Sequence, residues 1–280
     1  MQVITTKKEL KSYLSSLKKT TTIGLVPTMG ALHLGHISLV RKSVKENDIT
    51  IVSIFVNPTQ FNNKEDLRKY PNTVKEDINL LKTVAETIII FTPSASEMYP
   101  EGIITKTYNF EGLENVMEGQ FREGHFDGVG TVVEKLLRMT SPTKAYFGEK
   151  DFQQLQIIKK LVAITNLPIK IIGCPIVRET NGLAMSSRNE RLPKDLRQEA
   201  GFIYKTLKTA KLKFGTKSAD FVVEWVKEQF KAHPHLKLEY VIITDVDQLK
   251  PVVSKNINLK YRAFIAVYAG DVRLIDNIAL

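Results

Sequence analysis

Two kinds of apolar spacing alternate along the first two thirds of the chain. Near-continuous apolar runs, rich in β-branched residues, fall at Ile23–Thr28, Ile49–Val56 (ITIVSIFV), Thr87–Phe91 (TIIIF), Ala145–Phe147 and Ile169–Val177. Such runs suit parallel strands covered on both faces. Between them, apolar positions recur with helical spacing over residues 7–19, Leu34–Asn47, 73–83, 126–139 and Asp151–Thr165. Strands alternating with helices predict βαβ units and a mostly parallel sheet. A long polar loop, NPTQFNNKEDLRKYPN, follows the second strand.

The pattern changes at 178–192. RETNGLAMSSRNERLP is polar, with an Asn181–Gly182 turn signal and Pro193 just beyond. Two helical stretches follow, near 195–213 and 218–231. Strand-like runs come at 238–243 and 263–268, and RLIDNIAL closes the chain. The expectation is an α/β protein of two domains. Residues 1–177 would hold the parallel sheet flanked by helices, and residues 178–280 a smaller α+β domain. No repeat or low-complexity segment interrupts this reading.

Composition narrows the class. At 280 residues and 43% hydrophobic, the chain can bury a sizeable core. It has no run of about 18 apolar residues and no long apolar stretch near its start, so neither a membrane span nor a signal peptide is expected. The single cysteine, Cys174, lies in the apolar run IIGCPIV and reads as a buried thiol of a reducing, cytoplasmic setting. Net charge is +10, which raises the question of nucleic acid. The excess is spread, however: 24 basic against 20 acidic side chains in residues 1–190, and 16 against 10 in residues 191–280. Many bases are lysines along helical faces, such as Lys205, Lys208, Lys211 and Lys213, not interleaved with arginines and aromatics. A solvated surface accounts for them, with steering of small anions as a second role.

Polar clusters fall at the ends of predicted strands, where ligands bind in open α/β sheets. PTMGALHLGH (27–36) joins a strand to a helix, and its glycines 30 and 35 permit close backbone approach. His33 and His36 share a helical face, and a helix N-terminus attracts phosphate. One histidine capping while the other packs is the plainer role of each alone; the pair beside two glycines favours phosphate binding. A metal site is the weaker reading, since no third ligand is spaced nearby. FVNPTQF (55–61) offers Asn57 and Gln60, suited either to a ligand with hydroxyls and a carboxylate or to a plain Asn-Pro turn. FGEKDFQQLQ (147–156) offers Gly148 for a turn, Lys150 as a phosphate-binding charge, and Asp151 as a helix cap or a magnesium carboxylate. Only one of Gln153 and Gln154 can face a cleft. AMSSRN (184–189) has the hydroxyls and arginine of a phosphate clamp, and equally the look of an inter-domain linker or lid.

The spacing His33-Leu34-Gly35-His36 is shared by nucleotidyltransferases and class I aminoacyl-tRNA synthetases. A cytidylyltransferase would also carry it, but gives no particular reason for Gln60 and Gln154. An RNA-binding remnant would call for an arginine-rich or aromatic stripe, which is missing. PTMGALHLGH, FVNPTQF, EGHFDGVGTVV, FGEKDFQQL and VRETNGLAMSSRN, in this order, resemble the pantothenate synthetase family of pantoate–β-alanine ligases. The resemblance runs from about residue 22 to RLIDNI. It implies a Rossmann-like sheet of nucleotidyltransferase type carrying the ATP and pantoate sites, with a C-terminal lid. It also implies ATP as co-substrate, Mg²⁺, a pantoyl adenylate intermediate, attack by β-alanine, release of AMP and pyrophosphate, and a homodimer.

Residue by residue, the resemblance assigns Met29, Gly30, Ala31, Leu32, His33, Leu34, Gly35 and His36 to ATP, with His36 as proton donor and His33 at the phosphates. Gly148, Glu149, Lys150, Asp151, Val177, Met185, Ser186, Ser187 and Arg188 complete the ATP set. Gln60 and Gln154 would hold pantoate, Gln60 also lying near β-alanine. Asn57, Tyr70 and Arg122 would line the same cleft. Asp151 is the first carboxylate for Mg²⁺ and Asp77 the second. Lys150, Arg188 and both histidines would offset repulsion between anionic reactants. Asn62 and Asn63 depart from the family, which often has a Gly-Pro-like pair there.

Overall fold

A computed structural model describes residues 1–61, 67–68 and 70–280. Asn62 and Asn63, the departure from the family pattern, lie outside the described residues. The chain divides into two compact units. The first comprises Met1–Glu149 with Gln153–Pro175, and the second Lys150–Phe152 with Ile176–Leu280. No helix among the described residues is long and apolar enough to cross a membrane.

The first unit is built on a sheet of six parallel strands, β1 (Gln2–Ile4), β2 (Ile23–Thr28), β3 (Ile49–Ile54), β4 (Ile89–Phe91), β5 (Lys144–Gly148) and β6 (Lys170–Cys174), in the order β1-β4-β3-β2-β5-β6. From β2 the chain winds outward through β3 and β4, while β5 and β6 lie on the other side. The order therefore reverses between β2 and β5, and a crevice opens beyond the carboxyl ends of strands at such a reversal. The longer helices are α1 (Lys7–Ser16), α2 (Leu34–Glu46), α3 (Val74–Lys82), α4 (His125–Thr140) and α5 (Phe152–Ile164). Val26, Val52, Ile90 and Tyr146 of the sheet meet Ile37, Val40 and Leu81 of α2 and α3 in a dry layer. On α4 nearly every residue from His125 to Leu137 is buried.

Two elements differ from the sequence expectation here. β1 is three residues long, too short for a period to show, yet Ile4 is buried and pairs with Phe91. α1 ends at Ser16, and its start is fixed by a capping box in which Thr6 accepts from the Glu9 N–H at 3.1 Å and Glu9 accepts from the Thr6 N–H at 3.1 Å.

The second unit is a three-stranded antiparallel sheet, β7 (Leu236–Asp245), β8 (Tyr261–Ala269) and β9 (Val272–Ala279), packed with α6 (Lys194–Glu199), α7 (Phe202–Phe214) and α8 (Ala219–Lys231). Ile203, Leu207, Val222, Val226, Ile243, Ile265 and Val267 form its core. The helix expected over 195–213 is two helices. They part at Ala200–Gly201, where a Cβ on Gly201 would lie 2.5 Å from the Asn181 carbonyl oxygen. The break serves close backbone approach.

Candidate active site

At the end of β2 the chain turns through two left-handed residues, Gly30 (φ 83°) and Ala31 (φ 49°). This turn aims the N–H groups of Ala31 and Leu32 at Asp77 on α3, at 3.0 and 2.7 Å. A Cβ on Gly30 would meet Asp77 Oδ2 at 3.0 Å and Ile54 Cγ2 at 3.1 Å, so glycine is needed for space as well as for φ. Thr28 Oγ1 ties the same turn to β3, donating to the Ser53 carbonyl at 2.8 Å and accepting from the Gly30 N–H at 3.2 Å. Two residues that the resemblance assigns to ATP thus give their amides to a carboxylate of the protein. Asp77, the second-choice magnesium carboxylate, is buried and spends each oxygen on a main-chain donor, with Thr73 adding a third bond at 3.3 Å. Burial pushes its carboxyl above the ordinary value, against the pull of Leu32, Ala31 and Thr73.

The two histidines that open α2 cap it reciprocally. His33 Nδ1 accepts from the Gly35 N–H at 3.1 Å, and His36 Nδ1 accepts from the His33 N–H at 3.3 Å. Their ring centroids are 4.1 Å apart. Accepting at Nδ1 places the proton of each uncharged ring on Nε2, where it is a donor. Capping uses only the Nδ1 edge of each ring, and Nε2 lies on the opposite edge.

At the end of β3, the turn Pro58–Gln60 carries Gln60. Asn57, expected to line the substrate cleft, is buried with both ends of its amide engaged. Its Nδ2 donates to Gln60 Oε1 (3.3 Å) and to the Gly128 carbonyl (3.2 Å). Its Oδ1 accepts from Tyr99 (2.6 Å) and Thr59 Oγ1 (3.0 Å). Asn57 therefore supports Gln60. Gln60 Nε2 also donates to Met29 Sδ at 2.7 Å, linking the β3 turn to the β2 turn. The Gln60 carbonyl is held from the other side by Arg122 (3.1 Å) and His125 Nδ1 (3.0 Å). Arg122 also bonds His125 Nε2 at 3.1 Å, so that nitrogen accepts and Nδ1 carries the proton. Tyr70 packs edge-on against Phe61, at 5.7 Å between centroids.

At the end of β5 come Gly148 and Glu149, then α5. Gln153 is buried and braces a neighbouring turn: Oε1 accepts from the Glu118 N–H (3.0 Å), and Nε2 donates to the carbonyls of Leu113 (2.8 Å) and Val116 (2.7 Å). Gln154 is half-buried, and its amide makes no hydrogen bond among the described residues. Of the two glutamines, Gln153 is the one whose amide is committed to the protein.

In the second unit Lys150 Nζ lies 3.6 Å from the half-exposed Asp151 carboxylate. Val177 and Met185 pair through the Met185 N–H at 3.0 Å. Ser186 caps the turn Ser187–Arg191 by accepting from the Arg188 N–H at 3.3 Å. Behind that turn Glu179 accepts from Asn189 (2.7 Å) and from Arg197 (2.9 and 3.0 Å), and Asn189 donates to the Ala184 carbonyl (3.0 Å). The polar run that looked like a linker is a knitted part of this unit.

The model of the family described as pantoate-beta-alanine ligase matches residues 2–279. The chain belongs to this family. The pantothenate synthetase of Christiangramia forsetii is 56% identical, over 100% of this chain and 99% of the relative. That of Flavobacterium psychrophilum is 54% identical over 97% of each. The crystal structure of pantothenate synthetase from Thermus thermophilus matches with TM-score 0.91 at 36% identity, over 99% of each chain. The pantoate–β-alanine ligase of Francisella tularensis, complexed with "Beta-gamma ATP" and β-alanine, matches with TM-score 0.81 at 39% identity, over 100% of this chain and 97% of that one.

In this pantoate–β-alanine ligase chain, several supporting residues escaped the sequence reading. His125 and Gly128 lay inside a quoted motif without a role, and Tyr99 lay outside the motifs. Gly128 faces the Gln60 turn with no room for a side chain: a Cβ would lie 2.2 Å from the Thr59 carbonyl oxygen. A glycine within a helix is costly by propensity, and that is the one local signal that marks Gly128, in the first turn of α4. Among the described residues no group of three or more His, Cys, Asp or Glu forms a metal cage.

Proposed function

We propose that this protein joins pantoate to β-alanine at the expense of ATP, through a pantoyl adenylate, with release of pyrophosphate and AMP. Membership of the ligase family and the likeness to a relative complexed with β-alanine and "Beta-gamma ATP" support this reading. The observation that carries it is the arrangement of β2 and β3 in the first unit. Two imidazoles with protons on Nε2 begin the helix beside the sheet's reversal point, and Gln60 is anchored beside them.

The attacking carboxylate and the α-phosphate are both anionic. Donors aimed where charge develops lower that barrier, each worth about 10²–10³ in rate. His33 and His36 supply such donors through Nε2, and we assign Lys150 and Arg188 the compensating positive charge. Proton placement on Nε2 makes His36 a donor that stabilises charge without having to give the proton up. Gln60 and Gln154 orient pantoate, and Gln60 lies ready for β-alanine. The phosphate segments are Met29–His36, Gly148–Asp151, Val177 and Met185–Arg188. Mg²⁺ fits a site with few protein ligands, because it is usually held by substrate phosphates, water and one or two carboxylates, here Asp151. When bound it neutralises phosphate charge. The adenylate is hydrolytically labile, so water must be excluded, which we assign to the second unit as a lid. We further propose a cytoplasmic homodimer, which light scattering tests by mass.

The test is ATP–pyrophosphate exchange with Mg²⁺, with and without D-pantoate, in the absence of β-alanine. Pantoate-dependent exchange followed by β-alanine-dependent AMP release is the expected outcome. Exchange that ignores pantoate, or runs on CTP, overturns it.

A further inference from the structure

The second unit contains a buried polar chain that the reaction scheme above does not use. It lies on β9, in the adjacent residues Asp276 and Asn277, which are 4% and 1% exposed. Arg178 reaches Asp276 through both guanidinium ends, at 2.6 and 3.0 Å, and stacks 3.6 Å above the ring of Tyr204. The same guanidinium donates to the Gly182 carbonyl at 3.1 Å, and residues 178 and 184 pair as an antiparallel bridge. This fixes the hairpin whose far arm runs into Met185–Arg188. Asp276 Oδ1 also accepts from the Asn277 N–H at 2.8 Å. The Asn277 side chain then donates from Nδ2 to the main-chain carbonyl of Lys150 at 2.8 Å and accepts at Oδ1 from Arg262. Arg262 in turn lies 4.0 Å over the ring of Phe152. Losing one member of a buried hydrogen-bonded chain leaves its partners unsatisfied.

We infer that Asn277 is a positioning residue for Lys150, and that the Asp276–Asn277 pair sets Lys150 and the hairpin leading to Met185–Arg188 from a single point on β9. The Lys150 carbonyl belongs to the short turn between β5 and α5. Holding it fixes the direction in which the lysine stem leaves the backbone. Nothing about Asn277 itself has to touch a ligand. The inference rests on the proposed role of Lys150 at the phosphates.

The experiment is a double-mutant cycle with Asn277→Asp and Lys150→Ala, read in pantoate-dependent ATP–pyrophosphate exchange. Aspartate keeps the oxygen that Arg262 bonds and turns an oxygen, in place of the donor, toward the Lys150 carbonyl. Asn277→Ser, which is too short to reach that carbonyl and adds no charge, is run in parallel in case the aspartate does not fold. A misplacement on the order of 1 Å lowers kcat by up to about 10²-fold, so a fall of roughly 10- to 100-fold in kcat with a smaller change in KM for ATP is expected. The double variant is expected within about threefold of Lys150→Ala alone, because residues acting through one another are not additive. Multiplying effects, or wild-type kcat in both Asn277 variants, overturns the inference. Wild-type protein without pantoate-dependent exchange overturns the functional reading instead. The same cycle is then read in the ATP dissociation constant by calorimetry, with the same non-additivity expected and simple multiplication again fatal.

Discussion

Replacing Gly128 by alanine sets helix propensity against packing, and the two predict opposite signs. In an exposed helix the change gains about 1 kcal/mol. Here the new Cβ would sit 2.2 Å from the Thr59 carbonyl oxygen, 2.6 Å from its carbon and 3.0 Å from the Gln60 nitrogen. A carbon meets a carbonyl oxygen comfortably at about 3.3 Å or more, so the turn or the helix must give by about 1 Å. α4 is buried along most of its length, so the turn at 58–60 is the part that moves. That movement also strains the bonds from Asn57 and Thr59 to the Gly128 carbonyl. Overpacking of this kind costs about 1–3 kcal/mol, which outweighs the propensity gain. A displacement of Gln60 by about 1 Å lowers the rate by about 10²-fold. Gly130→Ala is the control, since the atoms nearest its Cβ belong to the rings of Tyr108 and Phe110. We expect Gly128→Ala to lower both Tm and kcat/KM for pantoate, and Gly130→Ala to lower Tm without a comparable loss in kcat/KM. A Gly128→Ala variant with wild-type Tm and wild-type kcat/KM would refute the account of how Gln60 is held.

Asp77→Asn replaces one of two oxygens facing main-chain donors with an amide donor. It should cost about 1–3 kcal/mol and raise KM for ATP, with no change in the Mg²⁺ concentration at half-maximal activity; a shift in Mg²⁺ dependence at unchanged Tm would make it a metal ligand after all. Glu134 is buried, which pushes its carboxyl up, but bonds from Tyr108 (2.6 Å), Lys106 (2.9 Å) and Arg138 (2.7 Å) outweigh that and bring it down to about 2 from 4.5. Its contribution, about 3 kcal/mol at most, is complete above the unfolded value and is lost as pH falls from about 4.5 toward about 2. Glu134→Gln should therefore lower Tm at pH 7 and flatten the acid side of the stability profile, and an unchanged acid limb would count against the network. Burial pushes the Cys174 thiol up to about 11, so a thiol reagent at pH 8 should label it only when denaturant is added; rapid labelling of folded protein would contradict its burial.

What could be read from the chain depended on how local its cause was. The parallel sheet was legible because β2 to β6 are apolar runs that need no partner to be recognised. β1 was not, because its three residues become a strand only against β4. The division of α6 from α7 depends on the Asn181 carbonyl, some twenty residues earlier in the chain, against Gly201. At the site, the histidine pair and both glutamines stood out by residue type and position. The partners that orient them did not. Asp77 meets Ala31 and Leu32 from about 45 residues away, and no spacing rule connects α3 to the β2 turn.

The same division runs inside each motif, between residues positioned to reach a ligand and residues that hold them. In PTMGALHLGH the amides of Ala31 and Leu32 are turned inward to Asp77, and the histidine rings present Nε2. In FVNPTQF Asn57 is consumed in supporting Gln60. In RETNGLAMSSRN Arg178, Glu179 and Asn189 bind the loop to its own unit, and Ser187 and Arg188 are the residues proposed to act at the phosphates. The two classes should fail differently. Loss of a reaching residue removes an interaction made in the transition state and lowers kcat without lowering Tm. Loss of a holding residue strands a buried partner and lowers both. A motif match therefore identifies the family well and the contacts poorly, since both classes contribute to the match. Burial combined with saturated hydrogen bonding marks a holding residue, and Asn57 and Asp77 both show it.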